Sequence, residues 1–163
     1  MDIDRSLFIR GNRALGLALV QSGLLPQPLL DEANARLIDH VRAGKLKGQG
    51  LLTILSHDMQ ALSETQLLNY QAAEHGTGLI DLHSYQVRPP PGTDPMACWA
   101  TWTIPIDERE GISFLASAYY LSQPVRSYWE QILGGNLVWY SASLQVLIES
   151  IERLEAQFSA TNK

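Results

Sequence analysis

The chain has 163 residues, 45% hydrophobic and 18% charged, which is enough apolar material for a core and too little charge for a disordered polymer. A net charge of −5 excludes a broad phosphate-binding face for DNA or RNA while leaving room for a local basic pocket. A single cysteine, Cys98, excludes an internal disulfide framework and a zinc knuckle, and no apolar run reaches the roughly 18 residues that cross a bilayer.

The acidic start Met1-Asp2-Ile3-Asp4-Arg5, with no long apolar stretch behind it, departs from a secretory signal. With the lone cysteine it gives the expectation of a cytoplasmic protein. Residues 1–12 show no clear period, and Met1 to Arg10 read as a loose arm or a short helix. From Arg13 the pattern turns helical: Leu15, Leu19 and Val20 fall at helical spacing and Gly23 stops the run. Leu24-Leu25-Pro26-Gln27-Pro28 is a tight connection into a second helix, whose apolar stripe is Leu29, Leu30, Ala33, Leu37, Ile38 and Val41, up to Gly44.

Lys45-Leu46-Lys47-Gly48-Gln49-Gly50 is a basic, glycine-containing loop. The plan then recurs. Leu51, Leu52, Ile54 and Leu55 form a short apolar helix, Ser56-His57-Asp58 breaks it, and Ser63 with Gln66 makes a capping box for a helix through Leu67, Leu68 and Gln71 to about His75. Two copies of a short-helix, turn, long-helix hairpin thus follow one another at a period of about 36 residues.

After Gly76-Thr77-Gly78 the character changes. Leu79–Leu82 is a strand candidate, and Arg88-Pro89-Pro90-Pro91-Gly92 forms a boundary. Trp99–Ile106 and Ile112–Ala116 read as strands joined by the turn Asp107–Gly111. Ser122 caps a helix with Pro124 in its first turn that ends at Gly134-Gly135. Leu137–Tyr140 is a third strand, and Ser143 caps a last amphipathic helix through Leu144, Leu147, Ile148, Ile151, Leu154 and Phe158. The helix between the last two strands allows them to lie parallel. The expected fold class is α+β (α/β): a helical-hairpin repeat subdomain over residues 1–87, then a β-β-α-β-α subdomain over residues 88–163.

Little in the sequence carries catalytic chemistry. His40, His57, His75 and His83 include no i, i+4 pair and no partner at metal-ligand spacing, so no metal site is expected. There is no Gly-x-Ser-x-Gly elbow and no phosphate-binding loop, and Gly76-Thr77-Gly78 precedes a strand where a nucleotide fingerprint follows one. Cys98 beside Trp99 reads as a core thiol, and Glu149 and Glu152 lie on the polar face of the last helix. An enzyme is not expected. The aromatic group Trp99, Trp102, Tyr119, Tyr120, Trp139 and Tyr140 fills a core or, alternatively, presents a partner surface. Arg10, Arg13, Lys45 and Lys47 sit near the hairpin starts, where helix N-termini attract anions.

The run Arg13-Ala14-Leu15-Gly16-Leu17-Ala18-Leu19-Val20-Gln21-Ser22-Gly23, continuing to Leu30 and Ala33, resembles the MshEN-type domain, the N-terminal domain of type II secretion and type IV pilus assembly ATPases. Gly50–Leu55 followed by Leu62-Ser63-Glu64 and Leu67 looks like its second copy, and the later strand and helix order is similar to its second subdomain. Such domains also occur at the end of some membrane glycosyltransferases of the phage-adsorption type.

The resemblance implies a non-catalytic adaptor or regulatory domain that docks onto a protein partner of a secretion, pilus or envelope glycosyltransferase system. As the alternative it implies a cyclic di-GMP receptor, with Arg13, Leu15, Gly16, Leu19, Gly23, Leu30, Leu51, Leu55 and Leu67 as the matching motif positions. Ala14 stands where the motif has arginine, Leu37 where it has glutamine and Leu52 where the second copy has glycine. No cofactor is implied beyond that dinucleotide.

Overall fold

The computed structural model describes residues 2–161. Helix α1 spans Arg5–Gln21 and begins about two turns before Arg13, so residues 5–12 belong to it and form neither a loose arm nor a separate short helix. Asp4 opens it: its Oδ1 accepts the Leu7 N–H at 3.1 Å. The buried stripe runs Leu7, Phe8, Gly11, Asn12, Leu15 and Leu19, and the low helix propensity of Gly11 and Asn12 is what hid it. Gly23, at φ +77°, ends the helix, with Leu24 N–H donating to the Leu19 carbonyl and Gly23 N–H to that of Val20, both at 3.0 Å.

Helix α2 (Gln27–Arg42) starts on proline and closes with the same pair of bonds, Lys45 N–H to His40 O and Gly44 N–H to Val41 O, both 3.0 Å. Ile38, expected in its core stripe, is half exposed. The second hairpin opens with α3 (Leu51–Thr53), which continues without interruption into a π-helical turn over Ile54–Asp58. The expected break at Ser56-His57-Asp58 is this wider turn, marked by the Met59 N–H donating to Ile54 O at 2.8 Å. Helix α4 (Glu64–His75) is capped as expected, the Ser63 Oγ accepting the Gln66 N–H at 3.3 Å.

Strand β1 is only Gly78–Leu79, shorter than the Leu79–Leu82 expected, although Ile80 N–H still reaches Ser141 O at 3.1 Å. The largest correction follows. Pro95–Thr101 is a helix, α5, not the start of a strand. Asp94 caps it through the Met96 N–H at 2.9 Å, with Pro95 in the first turn. Trp102, at φ +48°, turns the chain into β2 (Thr103–Arg109). The β preference of Trp99 and Trp102 is overridden by this cap and by burial of all seven α5 residues.

Strand β3 (Ile112–Ser117) pairs antiparallel with β2 across the two-residue turn Glu110-Gly111, tighter than the Asp107–Gly111 turn expected. The register slips between Pro105 and Asp107, leaving Ile106 as a bulge whose carbonyl accepts the Arg88 N–H at 2.7 Å. Helix α6 (Gln123–Leu133) crosses to β4 (Leu137–Ser141), which lies parallel to β3 as expected, and α7 (Leu144–Thr161) closes the chain. The sheet order is β1-β4-β3-β2, with β1 parallel to β4. The observed class is α+β.

Helix α1 packs on α5 and α6, and α7 on α5 and β2. One buried cluster therefore takes in Leu15, Leu19 and Leu51 from the hairpins together with Trp99, Trp102, Trp129 and Leu147 from the sheet unit. A polar hub ties these parts. Asn12 Oδ1 accepts the Leu51 N–H at 2.8 Å and the Tyr119 hydroxyl at 2.7 Å, while its Nδ2 donates to Phe8 O at 2.8 Å. Tyr119 Oη in turn accepts the Leu52 N–H at 3.3 Å. Asn12 and Tyr119 thereby cap α3 from outside, because its own N-cap residue is Gly50.

Asn12→Ala strands two buried donors and is expected to lower the unfolding free energy by about 2–4 kcal/mol in urea denaturation. A double-mutant cycle with Tyr119→Phe should show coupling of about 1 kcal/mol or more, and additive losses would contradict the hub.

Candidate functional site

The motif positions of the two hairpins meet one another. A Cβ on Gly16 would lie 2.6 Å from Leu30 Cδ1 and 3.0 Å from Leu51 Cδ2, so α1, α2 and α3 touch at that one glycine. Leu15, Gly16, Leu19, Leu30, Leu51, Leu55 and Leu67 are all buried. Gly23 is an exposed helix stop. Arg13 alone of the nine has a functional side chain at the surface. The two amides that would make the α3 N-terminus an anion cradle are already bonded to Asn12 and Tyr119.

The basic residues of this region point to different places. Arg10 Nε donates to Ser6 Oγ at 3.3 Å, and Lys45 is exposed. Lys47 forms an ion pair with Glu155 of α7 at 2.5 Å and lies 5.9 Å from the centre of the Trp99 ring. Arg13 borders a groove of about 490 Å³ between α1 and α2, lined by Ile9, Asn34, Leu37, Ile38, Val41 and Arg42. Ile9, Leu37, Ile38 and Val41 make the lining mainly apolar, and Leu17, half exposed, lies about one turn beyond Arg13 on α1. Its sequence signal was Ile9, Arg13 and Leu17 at i, i+4 and i+8, out of phase with the buried stripe of the same helix.

The remaining chemistry-bearing residues are embedded. Cys98 is buried and its thiol is pushed far up by burial, leaving an inert core group. Among the described residues no three His, Cys, Asp or Glu side chains cluster to hold a metal ion, and no helix is long and apolar enough to cross a membrane. Of the six prominent aromatics, Trp99, Trp102 and Tyr119 are core residues, while Tyr120, Trp139 and Tyr140 are partly exposed. Asp107 is held below the usual carboxylate range by the Tyr85 hydroxyl at 2.9 Å and by Arg109 at 2.9 Å.

Solved structures similar to this one include the three that follow. A structure of MshE with cyclic di-GMP matches with a TM-score of 0.53 at 22% identity, over 85% of this chain and 96% of that one. Two crystal forms of the N-terminal domain of XpsE each match with a TM-score of 0.56 at 22% identity. They cover 88% of this chain and 94% of theirs, and 83% and 90%, respectively. The chain has the fold of these domains. No protein-family model matches the sequence. No curated protein matches it either.

One surface contact clamps the segment after β1 to α7: His83 Nε2 and Glu149 Oε2 are 2.6 Å apart, with Asp81 3.5 Å from His83 Nδ1. The bond to Glu149 raises the His83 pKa above 6.5, while Gln145 and His83 lower that of Glu149 below 4.5. The histidine contribution is complete below pH 6.5 and is lost as pH rises through its raised value; the glutamate contribution is lost as pH falls through its lowered one. The thermal midpoint of His83→Gln should therefore fall below wild type at about pH 6 and converge with it by about pH 9. A gap that is constant across that range would contradict the clamp.

Proposed function

We propose that this chain is a non-catalytic docking module that holds a protein partner in the α1–α2 groove, in a machine of the secretion or pilus type. The observation that carries the reading is the groove itself: Ile9, Leu37, Ile38 and Val41 form an apolar floor, and Arg13 and Arg42 stand at its edge without an ion-pair partner among the described residues. Such a surface fits an amphipathic partner helix whose apolar face is flanked by Asp or Glu. Its arginines set orientation and its apolar floor supplies most of the affinity.

The alternative is reception of cyclic di-GMP on the same hairpins, supported by the likeness to a structure of MshE with that ligand and by Arg13 beside the groove. The two readings separate in one calorimetric series. A designed amphipathic helix with a Leu face and Glu flanks should bind wild type saturably and bind Ile38→Asp about tenfold more weakly. Cyclic di-GMP should give no saturable heat. Saturable heat with the dinucleotide, lost in Arg13→Ala, would replace docking by ligand sensing.

A further inference from the structure

A second concavity lies where the two hairpins meet the sheet unit, on the side of α1 that carries Ala18, Gln21 and Ser22. It measures about 260 Å³, and Gln21, Ser22, Tyr70, His75, Tyr120 and Arg126 supply its polar and aromatic lining. The wall is ordered by aromatic contacts. The His75 ring sits 5.8 Å from Tyr70 and 5.6 Å from Tyr120, and Tyr120 stands edge-on to Trp139 at 5.7 Å.

Arg126 is the unusual member. Its guanidinium carbon lies 5.2 Å from the centre of the Tyr120 ring. Its Nε is buried and has no hydrogen-bond partner among the described residues, and no described carboxylate forms an ion pair with it. This occurs in a chain with 17 acidic residues against 12 basic ones, and none of the acidic residues lines the cavity. A cation fixed on an aromatic face, with spare donors and no local counter-charge, recognises an oxyanion. The Ser22 hydroxyl spends its proton on Ala18 O at 2.8 Å, so the Arg126 guanidinium is the permanent cation of the lining, with the Gln21 amide, the Tyr70 and Tyr120 hydroxyls and the His75 ring as further polar groups.

We infer that this cavity binds a small molecule bearing one phosphate or carboxylate on a body about the size of a single ring, with Arg126 on the oxyanion and Tyr70 and His75 against the ring. The volume sets the size of what is seated: at about 260 Å³ it lies below the roughly 300 to 1,000 Å³ of sites for drug-sized molecules, so the group held inside is compact. The site is separate from the α1–α2 groove and does not depend on the docking reading.

The test is titration of the isotope-labelled full chain with phenyl phosphate, benzoate and inorganic phosphate, followed by backbone amide shifts. Saturable shifts centred on Ser22, His75, Tyr120 and Arg126 are expected with at least one ring-bearing anion, weakened about tenfold or more in Arg126→Gln. Saturation by phenyl phosphate alone assigns a phosphate and by benzoate alone a carboxylate, while inorganic phosphate should bind more weakly than the ring-bearing form. Gln21→Trp, at an exposed position on the rim, should block binding while leaving the thermal midpoint unchanged, and it carries the test if Arg126→Gln fails to fold. Shifts that do not saturate below about 20 mM, or equal affinity in folded Arg126→Gln or Gln21→Trp, would overturn the assignment.

Discussion

The N-terminus of α3 has to be satisfied inside the protein, and the rest of the architecture is arranged around how that is done. Gly50 precedes it and brings no capping side chain. Nothing larger fits, because a Cβ there would come within 2.5 Å of the Tyr119 hydroxyl and 2.8 Å of Trp102 Nε1. Buried N–H groups left without partners cost about 1–3 kcal/mol each, so the acceptors are brought in from elsewhere. Asn12 comes from 39 residues upstream of Leu51, and Tyr119 from 107 residues beyond Asn12. Trp102 closes the same spot by donating its Nε1–H to Gln49 O at 3.1 Å. The hairpins and the sheet unit are joined through this polar hub within the shared core.

That arrangement changes what the glycine and leucine pattern of the hairpins means. Gly16 is where three helices approach, and Leu30 and Leu51 fill the space it leaves. The α1–α6 contact follows the same logic, with the Ser122 hydroxyl donating to Gly11 O at 2.7 Å instead of capping its own helix. The pattern shared by the two copies is thus sufficient to build a helical stack on its own account. Arg13 and Arg42 stand instead on the exposed outer faces of α1 and α2, at the edge of the groove.

Where local chemistry and the core agreed, the elements could be read in advance. The stops at Gly23 and Gly44, the Ser63 cap and the parallel β3–β4 pair all follow from short-range rules. Where they conflicted, the reading failed in an instructive way. Gly11 and Asn12 look like helix breakers, yet one permits close packing and the other is the hub. Trp99 looks like a strand residue, yet Asp94-Pro95 starts a helix beneath it. Candidate site residues were harder still. Seven of the nine motif positions are core, and the groove and the Arg126 cavity arise from elements whose juxtaposition no local pattern encodes.

The sheet also restricts how the molecule can associate. One of its margins, β1, is two residues long. The other, β2, is interrupted by Pro105, which has no N–H, and by the bulge at Ile106, whose carbonyl is already taken by Arg88. Neither margin offers a continuous row of free backbone groups, so a visiting polypeptide cannot extend the sheet by adding a strand of its own. A chain meeting this molecule would do so on helix faces and side-chain pockets, where specificity is written in side-chain shape and charge and not in main-chain pairing.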